Sequence, residues 1–175
     1  MKSKKFWKIL LALFCFGMGG IAANYSVLTV EAKTSMTTFP KKMQGTWYQF
    51  DKSSNRIEKQ KITAKKWTFY NHGKKETGYL HAEPVSGPAY PKPEKKKENW
   101  IYISGGPIKA RGRIWIGVVG WYQISGMASY NVSKLKGHWV LTNAGGSGLW
   151  GSNHWYRSAK LAKKLKNKRY AHFVY

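Results

Sequence analysis

Cysteine, acidic residues and histidine are all scarce in this chain. Its 175 residues hold one Cys, seven Asp and Glu and five His, against 31 Lys and Arg. The single thiol, Cys15, sits in the first apolar stretch, so a chain processed beyond it has none. Disulfides and cysteine-ligated metals are then excluded, and the core alone must hold the fold. About 143 remaining residues suffice, because one domain of that size buries roughly two-thirds of its unfolded surface.

The same scarcity argues against catalysis. General acid–base chemistry needs carboxylates or imidazoles held close together. Most of the acids fall in turns or lysine-rich stretches, and His72, His81, His138, His154 and His172 are dispersed without a His-x-x-x-His spacing. His81-Ala82-Glu83 offers two donors from one strand face, to which His138 or His154 would add a third; a satisfied surface or core histidine is the simpler assignment for each. Gly146-Ser147-Gly148 runs into Leu149 and so lacks the Gly-x-Ser-x-Gly pattern of a nucleophile elbow. The Gly145–Gly148 run has neither a following Lys-Ser/Thr nor a helix, which makes it a hairpin connection and not a phosphate loop. The expectation is a protein that is not an enzyme and carries no cofactor or metal. An antimicrobial or enzymatic activity is the weakest alternative.

Long apolar runs are also missing, except at the start. Lys2, Lys4, Lys5 and Lys8 precede Ile9–Met18 (ILLALFCFGM), and small residues lead on to Val30-Glu31-Ala32. Basic, apolar and small-residue regions in that order form a secretory signal peptide, 1–32. Cleavage after Ala32 is expected, with Ala23 as the alternative site. A retained anchor is a further alternative, since 9–30 carries no charge, although Gly17, Gly19, Gly20, Asn24, Ser26 and Thr29 dilute it as a spanning helix. Phe14 before Cys15 is too bulky for lipoprotein processing.

Removing 1–32 takes four basic residues and one acid, leaving 27 against six, a net +21. Such a charge favours polyanions at the cost of self-repulsion. Outside a cell these are anionic wall polymers, lipid headgroups and nucleic acid. The expected location is therefore secreted and associated with the cell surface.

Past a linker at 33–44, aromatic and β-branched runs alternate with turns over 45–157. Strands are expected at Gly45–Phe50, Ile57–Thr63, Lys66–Tyr70, Glu76–Glu83, Trp100–Ser104 and Ile114–Val119. Trp121–Ile124, Ala128–Leu135, His138–Thr142 and His154–Arg157 complete the set. Gly105-Gly106-Pro107, Gly145–Gly148 and Gly151-Ser152-Asn153 read as breaks. The segment 84–99, with four prolines and Lys95-Lys96-Lys97, reads as an exposed loop. The fold class is all-β: a small antiparallel barrel or sandwich of eight to ten strands, with a short basic helix near the C-terminus.

Nine Trp, eleven Tyr and seven Phe form a heavy aromatic payload. Large rings dominate cores, so Trp47, Trp67, Trp100, Trp115, Trp139 and Trp155 are assigned to the interior. A lysine-interleaved platform for sugars or single-stranded nucleic acid is the alternative. The tail 158–175 differs. Ser158 caps a helix expected over Ala159–Arg169, with Leu161, Ala162 and Leu165 on one face. Lys160, Lys163, Lys164, Lys166, Lys168 and Arg169 cover the rest. A Lys-rich amphipathic helix beside aromatics suits anionic interfaces. Those six residues and Lys95, Lys96 and Lys97 are the candidate anion-binding set.

Gly45-Thr46-Trp47-Tyr48 resembles the opening strand of the calycins, the lipocalin and fatty-acid-binding barrels. The resemblance implies that Trp47 packs under a basic side chain from the last strand and closes the barrel base, a part that Arg157 is placed to take as a cation–π partner. It also implies the competing function, a carrier of a small apolar ligand. The long proline loop is not a calycin feature. More broadly, Val30–Lys33, Phe39–Tyr48 and the Lys-rich tail Ser158–Tyr175 resemble small basic secreted proteins of lactic acid bacteria. That similarity implies export and names no mechanism. Oligomeric state is left open.

Overall fold

Nine strands among the described residues close into a barrel in the order in which the chain makes them. They are β1 Gly45–Asp51, β2 Arg56–Ile62, β3 Lys66–Asn71, β4 Lys74–His81, β5 Trp100–Ala110, β6 Arg113–Gly120, β7 Ala128–Leu135, β8 His138–Gly145 and β9 Trp150–Tyr156. One α-helix, α1 Ala159–Leu165, follows. The computed structural model describes residues 35–71, 73–84, 94–123, 127–146, 148–166 and 168–175. The expected signal peptide and the centre of the proline loop lie outside the described residues.

Odd strand number forces one departure from the antiparallel expectation. Each antiparallel neighbour reverses chain direction, so a closed ring needs an even number of such contacts. With nine contacts, at least one must be parallel, and it is β4 against β5, through Tyr79–Trp100, Leu80–Ile101 and His81–Tyr102. The remaining eight are antiparallel, including the closing contact of β1 with β9 at Tyr48–Tyr156. A parallel pair needs a crossover of a dozen or more residues. The stretch between His81 and Trp100 is that crossover, and Lys95–Lys97 near its end form a 3-10 turn.

Alternation along the strands sends Trp47, Ile62, Trp67, Ile103, Leu141 and Trp155 into the main core. Phe39 and Met43, 1% and 2% exposed, join them, so the described part of 33–44 is a plug for the barrel and not a linker. Phe39 meets the Trp67 ring edge-on at 5.3 Å, and its backbone N–H donates to Ala64 O at 2.8 Å. Not every tryptophan is interior: Trp139 is 44% exposed, on an outward position of β8, and Trp100 is half-buried.

Two expected breaks and one expected strand are different in the structure. Gly105 and Gly106, at φ 66° and 73°, form a bulge that shifts register between Ser104 and Pro107 while β5 runs on to Ala110. Gly151-Ser152-Asn153 lies inside β9. Conversely, Trp121 and Trp121's neighbour Tyr122 turn out of the sheet after Gly120, and the described part of 121–124 is no strand.

Candidate functional site

Trp47 of β1 and Arg157, just past β9, form a stack. Trp47 is fully buried and donates Nε1–H to Met43 O at 2.7 Å. Arg157, one residue past β9, lays its guanidinium 3.6 Å from the centre of the Trp47 ring. Its Nη1 donates to Gln44 O at 2.8 Å and its Nη2 to Lys42 O at 3.0 Å. The planar fork thus ties the plug to the last strand as it caps the ring. Gly45 is required beside it: φ is +117°, and a Cβ there would run into Nη1 of Arg157.

The candidate anion-binding residues fall into two groups that the fold keeps apart. Lys95, Lys96 and Lys97 precede β5. Lys96 and Lys97 both reach Glu94, at 3.1 and 2.5 Å, and Lys97 lies 5.7 Å from the Trp100 ring. Glu94 therefore offsets part of their charge. The other six belong to the segment after β9, and α1 rests on β1, β2 and β9, across the ring from β5. The nine residues do not form one face.

In the tail, Ser158 Oγ accepts from Leu161 N at 3.2 Å, as a capping serine should. Ala162 is buried against Val140, Tyr156 and Tyr170, with Leu161 and Leu165 packed alongside. Lys160, Lys163, Lys164, Lys166, Lys168 and Arg169 are all exposed, and none forms an ion pair with another described residue. The expected helix to Arg169 stops at Leu165, because Lys166 adopts φ 47°, ψ −127°, a conformation outside the helical region. The chain then folds back on the barrel.

What pins it there is a histidine, His154, whose simpler assignment from the sequence was a satisfied surface or core residue. His154 of β9 is 5% exposed and is surrounded by the rings of Tyr170, Phe173 and Tyr175, with centroids at 5.0, 5.1 and 5.7 Å. Tyr175 Oη donates to Tyr170 O at 3.2 Å, so it accepts from His154 Nε2 at 2.8 Å; Nδ1 then accepts from Thr142 Oγ1 at 2.9 Å. Burial, with a smaller push from Arg113, holds the imidazole pKa down at about 4, and the ring is neutral at neutral pH. Backbone pairing of Ser152 N with Val174 O at 2.8 Å completes the attachment. The only signal for this in the sequence is the aromatic ending Tyr170, Phe173 and Tyr175.

A third feature lies beside β4. Because β5 starts opposite Tyr79, no strand among the described residues pairs with the first half of β4 on that side. The resulting open cavity, about 720 Å³, has Trp67, Phe69, Ile101 and Tyr130 in its wall and Glu76 and Glu98 among its polar residues. Trp67 stacks on Phe69 at 5.2 Å and meets Tyr130 edge-on at 4.4 Å. Among the described residues no three His, Cys, Asp or Glu are grouped to hold a metal ion. His81 stacks 3.7 Å from the Trp100 ring instead of pairing with Glu83, which accepts from Ser104 Oγ and Gly105 N. No protein-family model, curated protein or solved structure matches this chain.

Proposed function

We propose that the protein is an exported cationic binding protein that attaches to anionic polymer or lipid at the cell surface through the segment 160–169. One observation carries the reading: six cationic side chains in ten residues are exposed and without an ion pair among the described residues, on a segment that His154 and its three rings hold to the barrel. A fixed array loses less chain entropy on binding than a free tail. Each Lys or Arg at an anionic surface contributes about 1 kcal/mol.

The test is sedimentation of the mature protein with anionic vesicles and purified cell wall across a salt series. Lys160→Gln/Lys163→Gln/Lys164→Gln preserves the helix, whereas truncation at Ser158 would strip Tyr170 and Phe173 from the fold. Release at rising salt, at a lower concentration for the triple variant than for the parent, is expected. Binding that ignores salt and the triple substitution refutes the proposal.

The 720 Å³ cavity favours a second reading, a calycin-like carrier of a small apolar ligand. Saturable quenching of tryptophan fluorescence by an apolar probe, reduced in Tyr130→Ala, would support it; unchanged emission would refute it.

A further inference from the structure

Between β1, β9 and the folded-back tail lies a cavity of about 260 Å³. Lys166, Lys168 and Arg169 line one part of it; Gln49, Ser152 and Asn153 line another. None of its described lining residues has an acidic side chain. Each cation is steadied by a ring: Lys166 lies 5.4 Å from Phe50, Lys168 5.9 Å from Tyr170 and Arg169 5.1 Å from Tyr175. Lys166 and Lys168 also border a neighbouring hollow of about 530 Å³ that adds Lys52. The basic surface is therefore continuous but narrow.

Two details separate this cavity from an ordinary lysine-rich surface. Ser152 is 6% exposed and its hydroxyl has no hydrogen-bond partner among the described residues. Burying an unsatisfied hydroxyl costs stability, and a bound acceptor would relieve it. Lys166 holds φ 47°, ψ −127°, a region that glycine occupies freely and lysine does not. Strain of this kind persists where the surroundings impose it and clusters at ligand clamps. The strained backbone is what turns the chain at the cavity edge and places Lys166 on it.

We infer that this cavity is a phosphoryl-binding site, which rests on the anionic-surface reading and names the group that is recognised. Three cations, Ser152 and the amide of Gln49 line a space for a tetrahedral anion with several acceptor oxygens, whereas Asn153 Nδ2 is already committed to Gly151 O at 2.9 Å. A planar carboxylate, with two oxygens, leaves more of those donors unmet. The guanidinium of Arg169 supplies the forked geometry that phosphate oxygens match.

The experiment titrates the mature protein with inorganic phosphate at constant ionic strength and follows backbone amide chemical shifts. Saturating shifts confined to Gly151–Asn153 and Lys166–Arg169 are expected, at least tenfold weaker in Lys166→Gln/Arg169→Gln and unchanged in Lys160→Gln/Lys163→Gln/Lys164→Gln. Lys166→Gly should raise the thermal midpoint and weaken phosphate binding together. Non-saturating shifts spread over all lysines, or equal response to acetate, overturn the site. So does Lys166→Gly binding as tightly as the parent. Inorganic phosphate is then used to compete against phosphatidylglycerol vesicles and against polyphosphate. Displacement from one of them identifies the source of the group, and displacement from neither overturns the inference. Salt-dependent adhesion that survives these failures leaves the broader proposal standing, whereas salt-insensitive adhesion removes that proposal itself.

Discussion

Arg157→Met removes the guanidinium while keeping a chain of similar length over Trp47. The structure sets the loss. A cation 3.6 Å from the ring centroid, at a partly exposed site, contributes about 1 kcal/mol. The two donations to Gln44 O and Lys42 O, at 2.8 and 3.0 Å, add about 0.5–1.5 kcal/mol together once water's competition is counted. The total is about 2 kcal/mol, or a midpoint roughly 4–8 °C lower for a domain of this size. Arg157→Lys should recover little, because an ammonium cannot cover the ring and serve both carbonyls at once. Urea unfolding followed by tryptophan fluorescence gives the free energy. A cycle with Trp47→Phe isolates the coupling, which should be about 0.5–1 kcal/mol. A loss under about 0.5 kcal/mol for Arg157→Met, or a strictly additive cycle, would show that the stack is incidental to closing the barrel.

Two further substitutions probe features that only the fold reveals. Phe39→Ala should cost about 3–5 kcal/mol, because a fully buried ring leaves a cavity beside Trp67; a loss below 1 kcal/mol in the same urea assay would mean that 35–44 is not part of the core. His154 makes stability depend on pH with a defined sign. Its folded pKa is about 4 against an ordinary 6.5, so the unfolded chain binds more protons between those values. Stability is full above pH 6.5 and falls as pH drops toward 4, by about 3 kcal/mol at 1.36 kcal/mol per unit. Thermal midpoints at pH 7, 5.5 and 4 should converge for His154→Gln relative to the parent; equal slopes would refute the assignment. Asp51, held down at about 2 by Ser54 and Ser53, acts only in a more acidic window.

The strands were legible because period-two alternation is a local property. Ala128–Leu135 is the expected β7 to the residue, and Lys66–Tyr70 falls one residue short of β3. Glycine misled in both directions, since the same residue that ends a strand also lets it bulge: Gly105-Gly106 and Gly151 sit within β5 and β9. Phe39 and Met43 stand alone among polar neighbours and carry no periodicity, so only the barrel around them reveals their burial. The tail failed for a related reason. Lys166 is a good helix former by propensity, and the contacts of Tyr170, Phe173 and Tyr175 with His154 override it. The pairing of Trp47 with Arg157 was visible as a motif; the two carbonyls that Arg157 also holds were not.

Strand parity has a consequence for how such a barrel can diversify. An eight- or ten-stranded ring can alternate direction all the way round, and then no residue need travel from one end of the barrel to the other. A nine-stranded ring cannot. Gain or loss of a single strand in descendants of this chain must therefore create or remove a parallel contact, at the 82–99 crossover or at a second place in the ring, whereas strands can be added or lost two at a time with the single parallel contact kept. Strand number and the number of parallel contacts are bound to vary together, as one character and not two.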